Sequence, residues 1–145
     1  MADIFSAQKR SEIMGSIRSK DTNPEKLIRS RLHKLGYRYR LYLNGLPGRP
    51  DIVFPRYKTI VQVRGCFWHQ HSCKISHVPQ SKLGYWRKKL ARNIERDRVN
   101  DRKLRRMGWH VLIIWECQCR KSIKLMKTIS RIDRYLKDHP PFPTV

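Results

Sequence analysis

Apolar positions recur along the chain with two periods. From Pro24 the spacing is helical: Leu27, Ile28, Leu32 and Leu35 form one stripe, and Gly36 ends it. Asn23 is the expected N-cap, with Pro24 at the first helical position and Glu25 near the positive end of the helix dipole. The period then changes to two. YRYRLYL at 37–43 sets Tyr37, Tyr39, Leu41 and Leu43 on one face, which predicts a strand. LPGRP at 46–50 is a turn, and DIVF at 51–54 and TIVQV at 59–63 predict two strands joined around Pro55 and Tyr57. An irregular stretch runs from Gly65 to about Leu83. Residues 85–107 predict one long helix with Trp86, Leu90, Ile94 and Leu104 on one side. Asp97 and Asp101 interrupt that stripe, so its middle should face something polar. WHVLIIW at 109–115 is a continuous apolar run, expected of a central strand buried on both faces. Leu125, Ile129, Ile132 and Leu136 give a last helix ending before Pro140. The order helix, three strands, helix, strand, helix predicts an α/β fold, a small mixed central sheet flanked by helices.

The length of 145 residues fits one domain, 21–145, preceded by a basic N-terminal arm over 1–20. Fourteen aromatic residues argue against disorder. Charge narrows the class further. Thirty-three Lys and Arg against eleven Asp and Glu leave +22, which calls for a polyanionic partner. No apolar run approaches the ~20 residues of a membrane span, and there is no basic amphipathic anchor, so nucleic acid is favoured over membrane. The first sixteen residues lack the apolar stretch of a signal peptide, and the expected setting is cytoplasmic.

In a reducing compartment the four cysteines read as metal ligands or free thiols. Cys66, His71 and Cys73 fall within the irregular stretch, and Cys117 follows the last strand. Two thiolates with imidazole and a third thiolate would make a closed tetrahedral zinc site, clamping the long loop to that strand. Cys119 and His69 are substitute ligands; Cys119 is redundant, and His69 is better used elsewhere.

The eleven acids are informative in so basic a chain. Asp133 is expected on a solvated face, and Glu95, Asp97 and Asp101 are expected to pair with basic residues four positions away on the long helix. Asp51 differs. It opens a strand after a Pro turn and faces Gln62-Val63-Arg64 on the adjoining strand. A carboxylate there can hold Mg²⁺, with the Val63 backbone carbonyl as a second oxygen donor and Arg64 stabilising developing negative charge. The bland alternative is that Asp51 caps a turn while Gln62 and Arg64 line an exposed face.

GCFWHQHSC at 65–73, with LPGRPD at 46–51, NIERD at 93–97 and GWHVLIIWEC at 108–117, closely resembles the very-short-patch repair endonucleases, bacterial DNA mismatch endonucleases related to the PD-(D/E)xK, restriction-endonuclease-like fold. The resemblance spans roughly residues 8–120. It implies a zinc-bearing, Mg²⁺-dependent enzyme that nicks one strand of double-stranded DNA beside the thymine of a T·G mismatch, the lesion left by 5-methylcytosine deamination. It implies Asp51 as the metal-binding catalytic carboxylate and His69 as general base or water-orienting group. Glu25 would support the water network around the metal, and Cys66, His71, Cys73 and Cys117 would be the zinc ligands. Phe67, Trp68 and Trp86 would form an aromatic wedge entering the duplex, although core packing is an equal reading for Trp86. Arg87, Lys88, Lys89, Arg92 and Asn93, on the most basic helix, are the candidates for DNA contacts. The family setting is bacterial and nucleoid-associated, with mismatch-repair accessory proteins as partners; a monomer suits a one-strand lesion.

The chain departs from the family pattern at Arg64, where many members carry His. Arg64 is read as standing in for the Lys of the wider nuclease motif, with Gln62 in its acidic position, and activity is expected because Asp51 and His69 both remain. The other reading of the change is a lost proton-transfer or phosphate-contacting group and a slow enzyme. Two competing functions remain: a zinc-stapled nucleic-acid-binding protein without catalysis, and a restriction-type nuclease of the same fold cutting both strands.

Overall fold

A computed structural model describes residues 22–69, 71 and 81–140. The basic arm over 1–20 and the zinc-ligand candidate Cys73 lie outside the described residues. The elements follow the expected order: helix α1 (Asn23–Lys34), strands β1 (Arg40–Leu41), β2 (Ile52–Phe54) and β3 (Thr59–Arg64), helix α2 (Leu83–Arg106), strand β4 (His110–Trp115) and helix α3 (Ser122–Asp138). The sheet order is β1-β2-β3-β4, with the first three antiparallel and β4 parallel to β3. This is a mixed α/β fold.

The helix ends follow local chemistry. Thr22, not Asn23, caps α1, its hydroxyl accepting the Glu25 N–H at 3.5 Å while Asn23 takes up the first helical position. Either side chain carries the needed acceptor, which is why residue type alone misplaced the cap by one. At the other end Gly36, at φ 98°, closes a Schellman turn: the Tyr37 N–H reaches the Leu32 carbonyl at 3.1 Å. The same turn at Gly108, φ 94°, brings α2 directly into β4.

Strand alternation sorts the sheet's two faces. On β2 and β3, Ile52, Phe54, Val61 and Val63 join Ile28 and Leu32 of α1 and Leu125, Ile129, Ile132 and Leu136 of α3 in one core. Val53 and Ile60 face the other way, packing with Leu104 of α2. Gln62 and Arg64 share the parity of Ile60, and Asp51 that of Val53. The polar residues of interest therefore fall on the α2 side of the sheet.

Three expectations are corrected. The strand over 37–43 shortens to Arg40–Leu41, because Tyr42 adopts a left-handed backbone (φ 48°). That break also splits the expected face: Tyr37 and Tyr39 pack with the first core, Leu43 with the second, and Leu41 is exposed. β4 is not central. It stands at the sheet edge among the described residues; only Ile114 is fully buried, while β3 is buried along its whole length. Its apolar run reflects helices over both faces, and the Arg131 guanidinium donates to the Ile113 carbonyl at 3.3 Å. Asp133 is not on a solvated face. It accepts a hydrogen bond from the Tyr37 hydroxyl and lies 3.1 Å from Lys137. The Tyr37 hydroxyl, with Lys137 beside it, holds the Asp133 carboxyl below the usual range.

The Tyr37–Asp133 bond ties the segment before β1 to α3. Tyr37→Phe is expected to destabilise the fold by about 1–2 kcal/mol at neutral pH. Because the Asp133 carboxyl titrates lower folded than unfolded, that difference shrinks as pH falls through the carboxylate range. Urea melts of both proteins at pH 7 and pH 3 measure it.

Candidate active site and metal-binding cluster

The antiparallel register sets Ile52 against Val61, so Asp51 comes opposite Gln62. The Asp51 N–H donates to Gln62 Oε1 at 3.2 Å, and the Val63 N–H donates to Asp51 Oδ2 at 2.8 Å. Asp51 borders a cavity of about 850 Å³ together with Glu25, Gln62, Arg64, His69, Asn93, Asp97 and Asp101. Burial pushes the Asp51 carboxyl up to about 7, and nearby Glu25 adds to the rise, while the Val63 N–H and Arg64 oppose it. Glu25, on the first turn of α1, is 2% exposed and accepts a hydrogen bond from the Tyr42 hydroxyl.

The opposite wall is α2. Lys89, Asn93, Asp97 and Asp101 recur every four residues, so they line one stripe of the helix. The polar surroundings expected for the middle of that helix are Arg64 and His69. Asp97 and Asp101 do not pair along the helix as expected: strand alternation brings the buried Arg64 up against them. Arg64 Nη2 lies 2.7 and 2.8 Å from the two Asp101 oxygens, and its Nε lies 4.0 Å from Asp97 Oδ2. The same Asp97 oxygen contacts His69 Nδ1. A carboxylate can only accept, so Nδ1 carries the hydrogen of this contact and Nε2 is turned away from Asp97. Glu95 does pair along the helix, but with Arg98 three positions on, at 3.9 Å on the exposed face. Five acidic side chains, Glu25, Asp51, Asp97, Asp101 and Glu116, line this cavity against three guanidiniums, Arg49, Arg64 and Arg96, a local reversal of charge, in a chain of +22, suited to a cation.

Asp97, Asp101 and Tyr42 had no assigned role on sequence. The signal for the two acids was present, since their four-residue spacing continues from Asn93; what periodicity omits is which strand faces them. Nothing marked Tyr42 as reaching Glu25, because the contact depends on its left-handed backbone.

The metal-ligand candidates converge for a topological reason. β3 and β4 run parallel with Arg64 opposite Trp115, so Cys66 and Cys117, each two residues further on, meet at one end of the sheet. Cys66 Sγ and Cys117 Sγ lie 3.8 and 3.5 Å from His71 Nδ1, and the three donor atoms fall within 4.8 Å of one another. The His71 ring stacks on Trp115 at 4.3 Å. Two sulfurs and an imidazole suit a soft or borderline cation. Cys119 stays apart: it is buried, its thiol is pushed up to about 11 by that burial, and its sulfur lies 3.9 Å from the Trp115 carbonyl.

Phe67, Trp68 and Trp86 come together. Their ring centroids are 5.0 Å (Phe67–Trp68), 5.4 Å (Phe67–Trp86) and 6.1 Å (Trp68–Trp86) apart. Phe67 and Trp68 are half-buried, and Trp86 is buried, its indole N–H without a hydrogen-bond partner among the described residues. Lys89 Nζ sits 5.3 Å over the Trp68 ring, and Asn93 Nδ2 donates to the Trp68 carbonyl at 3.3 Å. Arg87, Lys88 and Arg92 are exposed on α2.

Comparison with known proteins gives the family. Residues 2–75 match the family described as DNA mismatch endonuclease Vsr. A type II nicking enzyme, V.XorIIP of Xanthomonas oryzae pv. oryzae, is 46% identical over 81% of this chain and 87% of its own length. The type II nicking enzyme V.NmeAIP of Neisseria meningitidis is 41% identical over 95% of this chain and 99% of its own. DNA mismatch endonuclease Vsr of Escherichia coli is 41% identical over 86% and 80%. A match over half the chain by the family, together with such coverage of full-length relatives, is decisive: the chain belongs to the Vsr family of DNA mismatch endonucleases.

Proposed function

We propose that the protein is a Mg²⁺-dependent DNA endonuclease that nicks one strand of a duplex beside the thymine of a T·G mismatch, acting as a monomer on a restriction-endonuclease-like core with a structural zinc. The observation that carries this reading is the Asp51 carboxyl, raised to about 7 beside Glu25 and sharing its cavity with His69 and Asp97. A buried carboxyl whose ionisation is costly, set beside a second carboxyl group, fits an oxygen-donor cation site.

Asp51 and the Val63 carbonyl would hold Mg²⁺, and Glu25, steadied by Tyr42, would order water around it. A divalent cation there supplies charge neutralisation on the phosphate and acidifies water. His69, oriented through Nδ1 by Asp97, takes the proton of the attacking water on Nε2. Arg64 is committed to Asp101, so its charge acts on the phosphate through space rather than by direct contact. Phe67 and Trp68, supported by the buried Trp86, enter the duplex beside the mismatch. A mismatched step is cheaper to unstack, and each base–aromatic stack returns about 1–3 kcal/mol. Lys89, Asn93 and the exposed Arg87, Lys88 and Arg92 line the approach to that wedge. Cys66, His71 and Cys117, with Cys73, would hold Zn²⁺ and fix the loop that carries the aromatics and His69.

An end-labelled duplex with one T·G pair tests the reading. One-strand nicking with Mg²⁺, slow on the matched duplex, is the expected result. Binding without cleavage identifies a non-catalytic DNA-binding protein, and equal cutting of both strands of matched duplex identifies a restriction-type enzyme. His69→Ala should slow single-turnover nicking by about 10²-fold or more; wild-type rates in that variant would remove His69 from the mechanism.

A further inference from the structure

The Arg64–Asp101 contact does more than neutralise a buried charge. Three groups compete around one point. Asp97 Oδ2 contacts His69 Nδ1, and the same oxygen lies 4.0 Å from Arg64 Nε. Asp101, one helical turn further along α2, holds Arg64 Nη2 at 2.7 and 2.8 Å, symmetrically between its two oxygens. All of this happens with little water: the side chains of Arg64 and Asp101 are 10% and 8% exposed, that of Asp97 23%. A guanidinium in such a place must pair with a carboxylate, and within reach there are two. Were Asp101 unable to take it, Arg64 would turn onto Asp97, the acid that His69 needs.

We propose that Asp101 is a positioning residue for the nicking reaction: it retains the Arg64 guanidinium and so leaves the Asp97 carboxylate free to hold the His69 imidazole with its hydrogen on Nδ1. The proposal rests on His69 acting as the base. Arg64 and Asp101 then form a functional unit. The cation faces the cavity in a fixed place, and its pairing acid lies on the helix that also carries Asp97. The chemistry does not require Asp101 to touch DNA or metal; it acts entirely through Arg64.

A double-substitution cycle with two readouts tests it. Full-length wild type, Asp101→Asn, Arg64→Gln and the doubly substituted protein are compared in single-turnover nicking of the T·G duplex with Mg²⁺. In parallel, ¹⁵N–¹H correlation of the histidine rings reports which nitrogen of His69 carries hydrogen. Asp101→Asn is expected to lower the maximal rate by roughly 10²-fold, the scale of general-base catalysis, with duplex affinity changed less than about threefold. The His69 pattern should lose its Nδ1–H form. In the Arg64→Gln background the same Asp101→Asn change should have no further effect on rate and should leave the Nδ1–H form in place, because no cation remains to capture Asp97. Asp101→Glu, which retains the acid, should recover most of the rate. Should Asp101→Asn alone fail to fold, the doubly substituted protein, which buries no unpaired charge, still gives the ring pattern and the comparison with Arg64→Gln. The proposal is overturned if folded Asp101→Asn keeps the wild-type ring pattern, or if Asp101→Asn slows nicking equally with and without Arg64. A different outcome, in which wild type shows the Nδ1–H form and its loss in Asp101→Asn but nicks no DNA, contradicts the catalytic reading of the site and leaves the clamp standing.

Discussion

Asp51→Asn is expected to abolish nicking and, in Mg²⁺-free buffer above neutral pH, to yield a more stable protein than wild type. Both effects follow from one carboxyl group. Folded, it titrates near 7; unfolded, it returns to the ordinary value of 3.8. Between those values the unfolded chain has released a proton that the folded chain keeps. Wild-type stability therefore falls as pH rises from about 4 to about 7, and the full penalty stands at pH 8. That difference corresponds to about 4 kcal/mol at most, and solvent relaxation around the group lowers it. Asparagine keeps an oxygen for the Val63 N–H and carries no charge, so the penalty disappears. Urea melts at pH 8 and pH 4 should show Asp51→Asn ahead at pH 8 and level at pH 4. Mg²⁺ should raise the wild type alone. The same titration predicts that nicking at limiting Mg²⁺ declines as pH drops through about 7. Saturating Mg²⁺ should move that decline to lower pH, since cation and proton compete for one carboxylate. A wild type more stable than Asp51→Asn at pH 8 without Mg²⁺ contradicts the account.

The second large effect concerns the cluster of Cys66, His71 and Cys117. These residues join the ends of β3 and β4, and they anchor the loop bearing Phe67, Trp68 and His69. Structural zinc is worth on the order of 10 kcal/mol in small peptides. With the zinc proposed above at this cluster, a domain with its own packed core depends on it less, so Cys117→Ser is expected to cost about 5 kcal/mol, a fall in Tm on the order of 15 °C. It should also lose the bound metal, measurable by colorimetric release, together with nicking. Cys119→Ser serves as the contrast. Its thiol is buried outside the cluster, so metal content should remain unchanged. Retention of metal by Cys117→Ser, or its loss from Cys119→Ser, would reassign the ligands.

Much of the architecture could be read from the chain because the relevant signals are local. Proline, a capping hydroxyl and a terminal glycine mark α1; alternating Ile and Val mark β2 and β3; four-residue spacing marks α3. The pairing of Asp51 with Gln62 was also legible, since eleven positions across a short connection leave few registers. Cys66, His71 and Cys117 could be gathered from donor chemistry alone. What was not legible is the facing of elements distant in sequence. Asp97 and Asp101 read as partners of basic residues one turn away on their own helix because Arg64 lies more than thirty positions earlier, and only the parity of β3 turns it towards them. The position of β4 at the edge could not be inferred from its apolar run, because covering helices make an edge strand as hydrophobic as a central one. Trp86 illustrates the limit on rings: the sequence leaves duplex wedge and core packing as equal readings, and the fold buries it beneath Phe67 and Trp68.

The central claim is that Asp51 holds the cation on which nicking depends. Its most direct measurement is Mn²⁺ binding followed by electron paramagnetic resonance on the complex with an uncleavable T·G duplex, comparing wild type with Asp51→Asn. The account predicts one bound Mn²⁺ in the wild-type complex that is absent from Asp51→Asn while duplex affinity is retained. Equal Mn²⁺ occupancy in the two complexes would contradict it.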